Sequence, residues 1–233
     1  MCGRYTLSDT GEMLDEVLVE LKVDAGSDAQ SADRAVEPRY NIAPTQQVPA
    51  IREDGGVRRL AHLRWGLVPF WADDLKIGNR MINARSETAA SKPSFRNAYK
   101  RRRCLLLSDG FYEWKKLDGA KQPFHIHRPE RRPLTFAGLW ERWDKGLEPG
   151  EPAVETCTIL TTSANETVRD VHDRMPVILD GEARGLWLDA SVDPASLAEI
   201  MKPYGGELQL TPVSRLVNSP RNDSPRCLDP VQL

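Results

Sequence analysis

Cys2, directly after the initiator methionine, is the residue with the most distinctive chemistry in this chain. Removal of Met1 would leave Cys2 with a free α-amine beside its thiol. Such a 1,2-aminothiol condenses with an aldehyde to an imine, which the sulfur then closes into a thiazolidine ring. The α-amine titrates near ~8 and the thiol near ~8.5, so both have a reactive fraction at neutral pH. The alternative is that Cys2 is an incidental residue beside the start codon.

Two titratable residues could supply acid–base chemistry. Glu113 lies among three aromatic residues, directly after a predicted buried strand. Desolvation there would raise the pKa of its carboxyl toward the range useful for proton transfer. The alternative places Glu113 on the solvent face of a strand, paired with a neighbouring lysine. His172 precedes an Asp-Arg pair and could shuttle protons near neutral pH, or could simply cap the preceding turn.

Asn83 and Trp71 are candidates for binding. The side-chain amide of Asn83 could orient an amine or a carbonyl, with Arg85 on a phosphate; alternatively, Asn83 caps a helix starting at Ala84. Trp71 ends residues 65–71, where consecutive proline, phenylalanine and tryptophan offer stacking or wedge surfaces for unpaired bases.

The sequence predicts no metal site and no cofactor. His125 and His127 share a face of a predicted strand, but no third ligand accompanies them. The chain has no Cys-x-x-Cys pair of the kind found in zinc ribbons. Cys104 and Cys157 lie in apolar runs and are expected to be buried strand cysteines of a reducing compartment.

Composition indicates an ordinary globular protein, with 40% hydrophobic and 28% charged residues in a chain of 233. No apolar run approaches a membrane span and the first ten residues lack a signal-peptide core, so we expect a cytoplasmic protein without a membrane partner. The net charge of −2 conceals an uneven distribution of charge along the chain: residues 92–132 carry 12 Lys and Arg against 4 Asp and Glu. Such polarity is compatible with one basic face for phosphates. Taken alone, the basic run 100–103 favours a solvated loop before a strand.

Apolar periodicity predicts helices over residues 9–23, with Asp9 and Glu12 resembling a capping box, over 181–188, and from Asp193 to Lys202. Residues 24–36 are acidic, lack an apolar period and are expected to form a loop. Eight short apolar segments read as strands, at residues 48–52, 57–63, 104–107, 124–127, 134–137, 156–161, 177–179 and 208–213. This pattern predicts a single α+β domain with a mostly antiparallel, curved or barrel-like sheet and peripheral helices.

Eight segments in order along residues 1–220 resemble the SRAP family, the SOS-response-associated proteins that process abasic sites in single-stranded DNA. The matching segments are residues 1–5, 39–44, 65–71, 82–88, 110–115, 160–165, 172–176 and 212–214. Residues 24–36 look variable in length, and the tail of residues 221–233 has no clear counterpart in the resemblance.

The resemblance implies a covalent link between Cys2 and the ring-opened sugar aldehyde, after removal of Met1. It implies that Glu113 performs acid–base work in ring opening and Met1 release, that His172 donates protons beside the sugar, and that Asn83 hydrogen-bonds to Cys2. It also implies an enzyme of the DNA damage response with peptidase-like, hydrolytic Met1 release and lyase character. DNA-backbone contacts are implied for Arg4, Asn41, Arg85, Thr161 and Arg174, with Trp71 as a wedge against a base. We expect a monomer.

Two other functions are compatible with parts of the sequence. N-terminal-nucleophile glutamine amidotransferases also begin Met-Cys-Gly, but their later motifs do not match, and they would show glutaminase activity. A noncovalent single-stranded DNA-binding module would leave Cys2 inert, and its binding would be unchanged by Cys2→Ala.

Overall fold

Two antiparallel-rich sheets build the molecule. The structure is a computed structural model that describes residues 2–24, 36–117, 119–130, 132–145, 147–148 and 150–233. Its strands are β1 Tyr5–Leu7, β2 Arg39–Ile42, β3 Gln47–Asp54, β4 Val57–Trp65, β5 Asn83–Arg85, β6 Arg103–Ser108, β7 Gly110–Leu117, β8 Ala120–His127, β9 Leu134–Trp143, β10 Val154–Ser163, β11 Arg174–Pro176, β12 Ile178–Leu179 and β13 Gln209–Pro212. Its α-helices are α1 Glu12–Glu20, α2 Ser86–Ala89, α3 Arg96–Arg101, α4 Glu166–Arg169 and α5 Glu182–Leu188.

Sheet topology confirms the predicted fold class. The five-stranded sheet has the order β13-β8-β7-β1-β2. The eight-stranded sheet has the order β11-β10-β4-β3-β6-β9-β12, and β5 pairs with β10. Because β10 also pairs with β9, the larger sheet curves into a ring without forming a true barrel. The molecule is one α+β domain.

The main core lies between the two sheets. Tyr5 of β1 contacts Trp65 of β4 and Phe136 of β9 edge-on, with ring centroids 5.3 and 5.8 Å apart. Phe111 of β7 contacts the same Phe136 at 6.0 Å. All four rings are fully buried, and edge-to-face pairs of this kind add to the stabilisation from burial. This packing fixes β1, and with it the first residues of the chain.

The three predicted helices agree with the structure to different degrees. The helix over 181–188 is confirmed as α5. The first helix exists, but α1 begins at Glu12 with Gly11 at its N-cap, and Asp9 instead accepts a hydrogen bond from Gly11 N. The helix from Asp193 to Lys202 was wrong in type: a 3₁₀-helix spans Ser196–Ile200. Leu197 and Ile200 are three residues apart, which suits the period of a 3₁₀-helix.

All eight predicted strand segments overlap an observed strand, whereas β1, β2, β5, β7 and β11 were not predicted. The basic run 100–103 is not a solvated loop. Its first residues end α3 and Arg103 begins β6 with 3% of its surface exposed. Arg103 Nε donates to Trp187 O over 2.6 Å, so the run anchors a helix to the sheet. The predicted acidic loop lies largely outside the described residues.

The chain end packs on the five-stranded sheet rather than extending from it. The 3₁₀-helices Arg215–Asn218 and Pro225–Leu228 lie together there, and Cys227 is fully buried. Asp223 pairs with Arg39 of β2, and Val213 bridges to Pro230. Residues 221–233 therefore belong to the folded body. Within the described residues no helix is long and apolar enough to cross a membrane.

Candidate active site

The pairing of β1 with β7 brings Cys2 toward Glu113. Tyr5 lies opposite Phe111, and Tyr112 N donates to Arg4 O over 3.0 Å. Continuing this antiparallel register sets the residue after Cys2 opposite Glu113. Cys2 is completely buried, with its Sγ 3.8 Å from Arg4 O. Burial raises the pKa of the Cys2 thiol far above its ordinary value, and the Glu113 carboxylate raises it further.

Asn83 holds the backbone of Cys2. It begins β5, which runs parallel to β10 with Asn83 opposite Ile159. Its Nδ2 donates to Cys2 O over 2.8 Å. The alternative of a helix cap at Asn83 is wrong, because α2 starts only at Ser86 and Asn83 is in a strand.

Glu113 is a buried carboxylate, with 4% of its surface exposed. Burial is the largest influence on its pKa and raises it above the ordinary value, while nearby His172 acts in the opposite direction. The alternative of a glutamate on the solvent face is therefore wrong. A carboxyl group with a raised pKa exchanges protons more readily near neutral pH than an ordinary glutamate does.

His172 lies directly before β11, and its contacts bear on the predicted turn contact. Its Nδ1 accepts a hydrogen bond from Arg174 N at 2.9 Å, which is the turn-capping contact. The same Nδ1 lies 2.9 Å from Asp173 Oδ1. These two contacts compete: the neutral ring accepts at Nδ1 from Arg174, whereas a protonated Nδ1 donates to Asp173. The ring is thus fixed at a position where it also faces a cavity.

This cavity has a volume of about 460 Å³ and is lined by Glu113, Trp114, Lys121, His172 and Asn218. Trp114, Lys121 and Asn218 were not among the predicted site residues. Trp114 Nε1 donates to Asn218 Oδ1 over 2.8 Å, which connects β7 to the 3₁₀-helix Arg215–Asn218. The position of Trp114 beside Glu113 was the available signal; nothing local marks Lys121 or Asn218.

Three predicted DNA contacts surround the end of β10. Thr161 lies between Arg85 of β5 and Pro176 of β11 in register. Arg85 is exposed, whereas Thr161 is completely buried. Arg174 donates to Thr161 O over 2.6 Å and pairs with both carboxylate oxygens of Glu87. Of the three residues, Arg85 presents an exposed cation.

Arg4 and Asn41, also predicted to contact DNA, are occupied inside the protein. Arg4 Nη1 donates to Asn41 Oδ1 over 2.7 Å and to Val217 O over 2.6 Å. Asn41 is completely buried, and its Nδ2 donates to three backbone carbonyls, of Val217, Ser219 and Asn222. In this conformation both side chains hold the C-terminal segment against β1 and β2.

Trp71 lies apart from these residues in the loop between β4 and the 3₁₀-helix Leu75–Arg80. Trp71 is 42% exposed and the adjacent Phe70 is 49% exposed. The loop is fixed at its base, where a Cβ on Gly66 (φ +126°) would lie 2.6 Å from Gly78 O. A rigid base with an exposed aromatic pair is suited to a wedge or stacking platform.

The described residues contain no group of three or more His, Cys, Asp or Glu side chains that could hold a metal ion. His125 and His127 stack with ring centroids 5.0 Å apart and contact Thr6 and Thr211, respectively. They act as buried strand residues. Cys104 and Cys157 are completely buried free cysteines, as predicted.

Comparison with known proteins identifies the family of this chain. Residues 1–220 match the family model described as SOS response associated peptidase (SRAP). The chain belongs to the SRAP family. It is 42% identical to the abasic site processing protein YoqW of Bacillus subtilis (strain 168), covering 98% of this chain and 99% of that protein. It is 38% identical to the abasic site processing protein HMCES of Gallus gallus, covering 84% of this chain and 67% of that protein.

Two solved structures share the fold of this chain. A Bacteroides thetaiotaomicron protein superposes with a TM-score of 0.83 at 24% identity, covering 99% of this chain and 100% of that one. A Bordetella bronchiseptica protein superposes with a TM-score of 0.70 at 27% identity, covering 91% and 100%. The family model ends at residue 220, whereas the match to YoqW covers 98% of this chain.

Proposed function

We propose that this SRAP protein processes abasic sites in single-stranded DNA by linking Cys2 covalently to the ring-opened sugar. One observation carries the proposal: Glu113 and His172 line one cavity, and Cys2, held by Asn83, lies near enough to Glu113 for the carboxylate to raise the pKa of its thiol. The names of the relatives, abasic site processing proteins, support the same substrate.

The chemistry requires that Met1 be removed first, because only then does Cys2 carry an α-amine. The amine adds to C1′ of the aldehyde, and loss of water gives an imine. The Cys2 sulfur then adds to C1′ while its proton passes to the imine nitrogen, which closes a thiazolidine. An aldehyde and an aminothiol are consumed, and one water and the ring are formed. The amine attacks before the sulfur, because the sulfur closes the ring on the imine carbon.

Each nearby side chain has a role in these steps. Glu113 takes the proton released on sugar ring opening and serves the hydrolysis that removes Met1. As the sugar ring opens, His172 donates a proton to the ring oxygen that leaves C1′. Asn83 orients the Cys2 backbone through its 2.8 Å hydrogen bond, so that amine and thiol approach the same carbon.

DNA binding divides into direct contacts and positioning. Arg85 and Trp71 are exposed and act directly, on the backbone and on a base respectively. Arg4, Asn41 and Thr161 are engaged inside the protein and act by fixing the site's walls. Arg174 contacts a phosphate after it exchanges its present partner.

The test compares two single-stranded oligonucleotides, one with a natural abasic site and one with a tetrahydrofuran analogue that cannot open to an aldehyde. We expect a heat-stable adduct in denaturing electrophoresis with the natural site only, and similar noncovalent affinity for both. Adduct formation with the analogue, or none with either in protein lacking Met1, would contradict the proposal.

A further inference from the structure

Arg174 is not available to a phosphate in the free protein. Its Nη1 donates to Glu87 Oε1 over 2.6 Å and its Nη2 to Glu87 Oε2 over 2.9 Å. A bidentate carboxylate uses the same pair of N–H groups that a phosphate would use. A phosphate contact by Arg174 therefore requires that Glu87 leave first.

Glu87 is placed so that it can leave. Its side chain is 50% exposed, whereas that of Arg174 is 14% exposed, so Glu87 is the more accessible partner of the pair. Arg174 Nη2 also donates to Thr161 O over 2.6 Å. This second contact keeps the guanidinium in position when Glu87 moves away.

We propose that Glu87 is an internal stand-in for a DNA phosphate, bound to Arg174 in the free protein and displaced by the DNA backbone. This inference rests on the proposed function, because it takes DNA as the substrate. Binding then exchanges one ion pair for another and gains less free energy than a new pair would. Glu87 thereby weakens binding to every single strand, damaged or not, and leaves covalent capture as the step that selects the lesion.

The test is Glu87→Gln, which keeps the shape of the side chain and removes its charge. We expect affinity for an undamaged fluorescent single strand to rise about 3- to 10-fold at low salt. The slope of log K against log salt should steepen by up to about one, because Arg174 then neutralises a phosphate without freeing a carboxylate. Glu199→Gln is the matched control: Glu199 is also exposed and paired, with Lys202 over 2.5 Å. It should change affinity less than about twofold.

A double-mutant cycle separates competition from simple repulsion. In an Arg174→Gln background, Glu87→Gln should have no effect on affinity, because no guanidinium remains to compete for. A persistent gain would mean that Glu87 repels DNA without competing, and would overturn the inference. Equal or weaker binding by Glu87→Gln alone would also overturn it, since Glu87 would then position Arg174 for DNA.

Failure of this inference is distinguishable from failure of the proposed function, because undamaged DNA has no aldehyde. Normal crosslinking to abasic DNA without a Glu87→Gln response would remove only the stand-in role. The expected Glu87→Gln response without crosslinking would support the stand-in role and remove only the covalent chemistry. Absence of any DNA binding by the wild type would overturn both.

Discussion

Asp109 and Glu113 are four residues apart, and each is 4% exposed, yet their surroundings differ completely. Asp109 accepts hydrogen bonds from Thr6 Oγ1, from both N and Oγ of Ser8, and from Asp9 N. Glu113 instead faces the cavity beside Cys2, and burial raises its pKa. Equal burial therefore does not mean equal function: a carboxylate saturated with donors fixes the fold, and one with a raised pKa can exchange protons.

The largest expected effect follows from replacing the cavity carboxylate. Glu113→Gln should slow crosslinking about 100-fold or more, because the proton acceptor is lost while shape is kept. Affinity for undamaged DNA should stay within about twofold. The rate is measured by quenched time courses with abasic single-stranded DNA.

Glu141→Gln is the matched control for that variant. Glu141 is also buried, its pKa is also raised by burial, and it pairs with Arg102 away from the cavity. Its crosslinking rate should match that of the wild type. Equal slowing in both variants would show that the loss of any buried glutamate slows crosslinking. It would contradict a specific role of Glu113 in catalysis.

Asp109→Asn should produce the opposite profile. Loss of the charge-assisted hydrogen bonds should lower the free energy of unfolding by about 2–4 kcal/mol. The crosslinking rate of the protein that remains folded should stay within about threefold of the wild type. Urea unfolding and the same time courses measure the two quantities; unchanged stability would mean that the Asp109 contacts do not hold β1.

The raised pKa of Glu113 also predicts a pH dependence of stability. The folded state holds the Glu113 proton to a higher pH than the unfolded chain, whose glutamate pKa is about 4.3. As pH rises from that value through the folded pKa, the wild type should lose up to about 1.4 kcal/mol per pH unit relative to Glu113→Gln. Urea titrations at pH 4.5 and 7 measure this difference, and a constant difference would contradict a raised pKa.

Asn83→Ala should have a smaller effect on crosslinking than Glu113→Gln. Removal of the hydrogen bond to Cys2 O leaves the nucleophile in place but less well oriented, so crosslinking should slow about 10-fold. Binding of undamaged DNA should not change. A rate equal to that of the wild type would show that the packing of β1 alone orients Cys2.

The sequence was sufficient for the elements with strong local signals. Most longer strands, though not β7, and the helices α1 and α5 were predicted, because burial follows from side-chain spacing within one segment. The strands β1 and β5 were not predicted, because a segment of three residues carries too little periodicity. Each also pairs with a strand more than 70 residues away, β7 or β10. The buried hydrogen bond from Arg103 to Trp187 O depends on how α5 packs on β6. No local sequence pattern reveals that packing.

The candidate site divides in the same way. Cys2, Glu113 and His172 were recognisable because their reactivity is a property of residue type and immediate neighbours. The hydrogen-bond and ion-pair partners of the predicted site residues were not recognisable from the sequence. By residue type Asn41 is expected at the surface, yet it is buried and donates hydrogen bonds to three distant carbonyls. The Glu87–Arg174 pair arises because β5 and β11 flank the same strand, β10.

The most direct measurement is the intact mass of the protein after mixing with single-stranded DNA that carries one abasic site, beside Cys2→Ala. We predict that wild-type protein lacking Met1 gains the mass of the oligonucleotide less one water, and that Cys2→Ala gains nothing. No adduct on wild-type protein whose mass confirms the loss of Met1 would contradict covalent capture by Cys2 and leave a noncovalent DNA-binding protein.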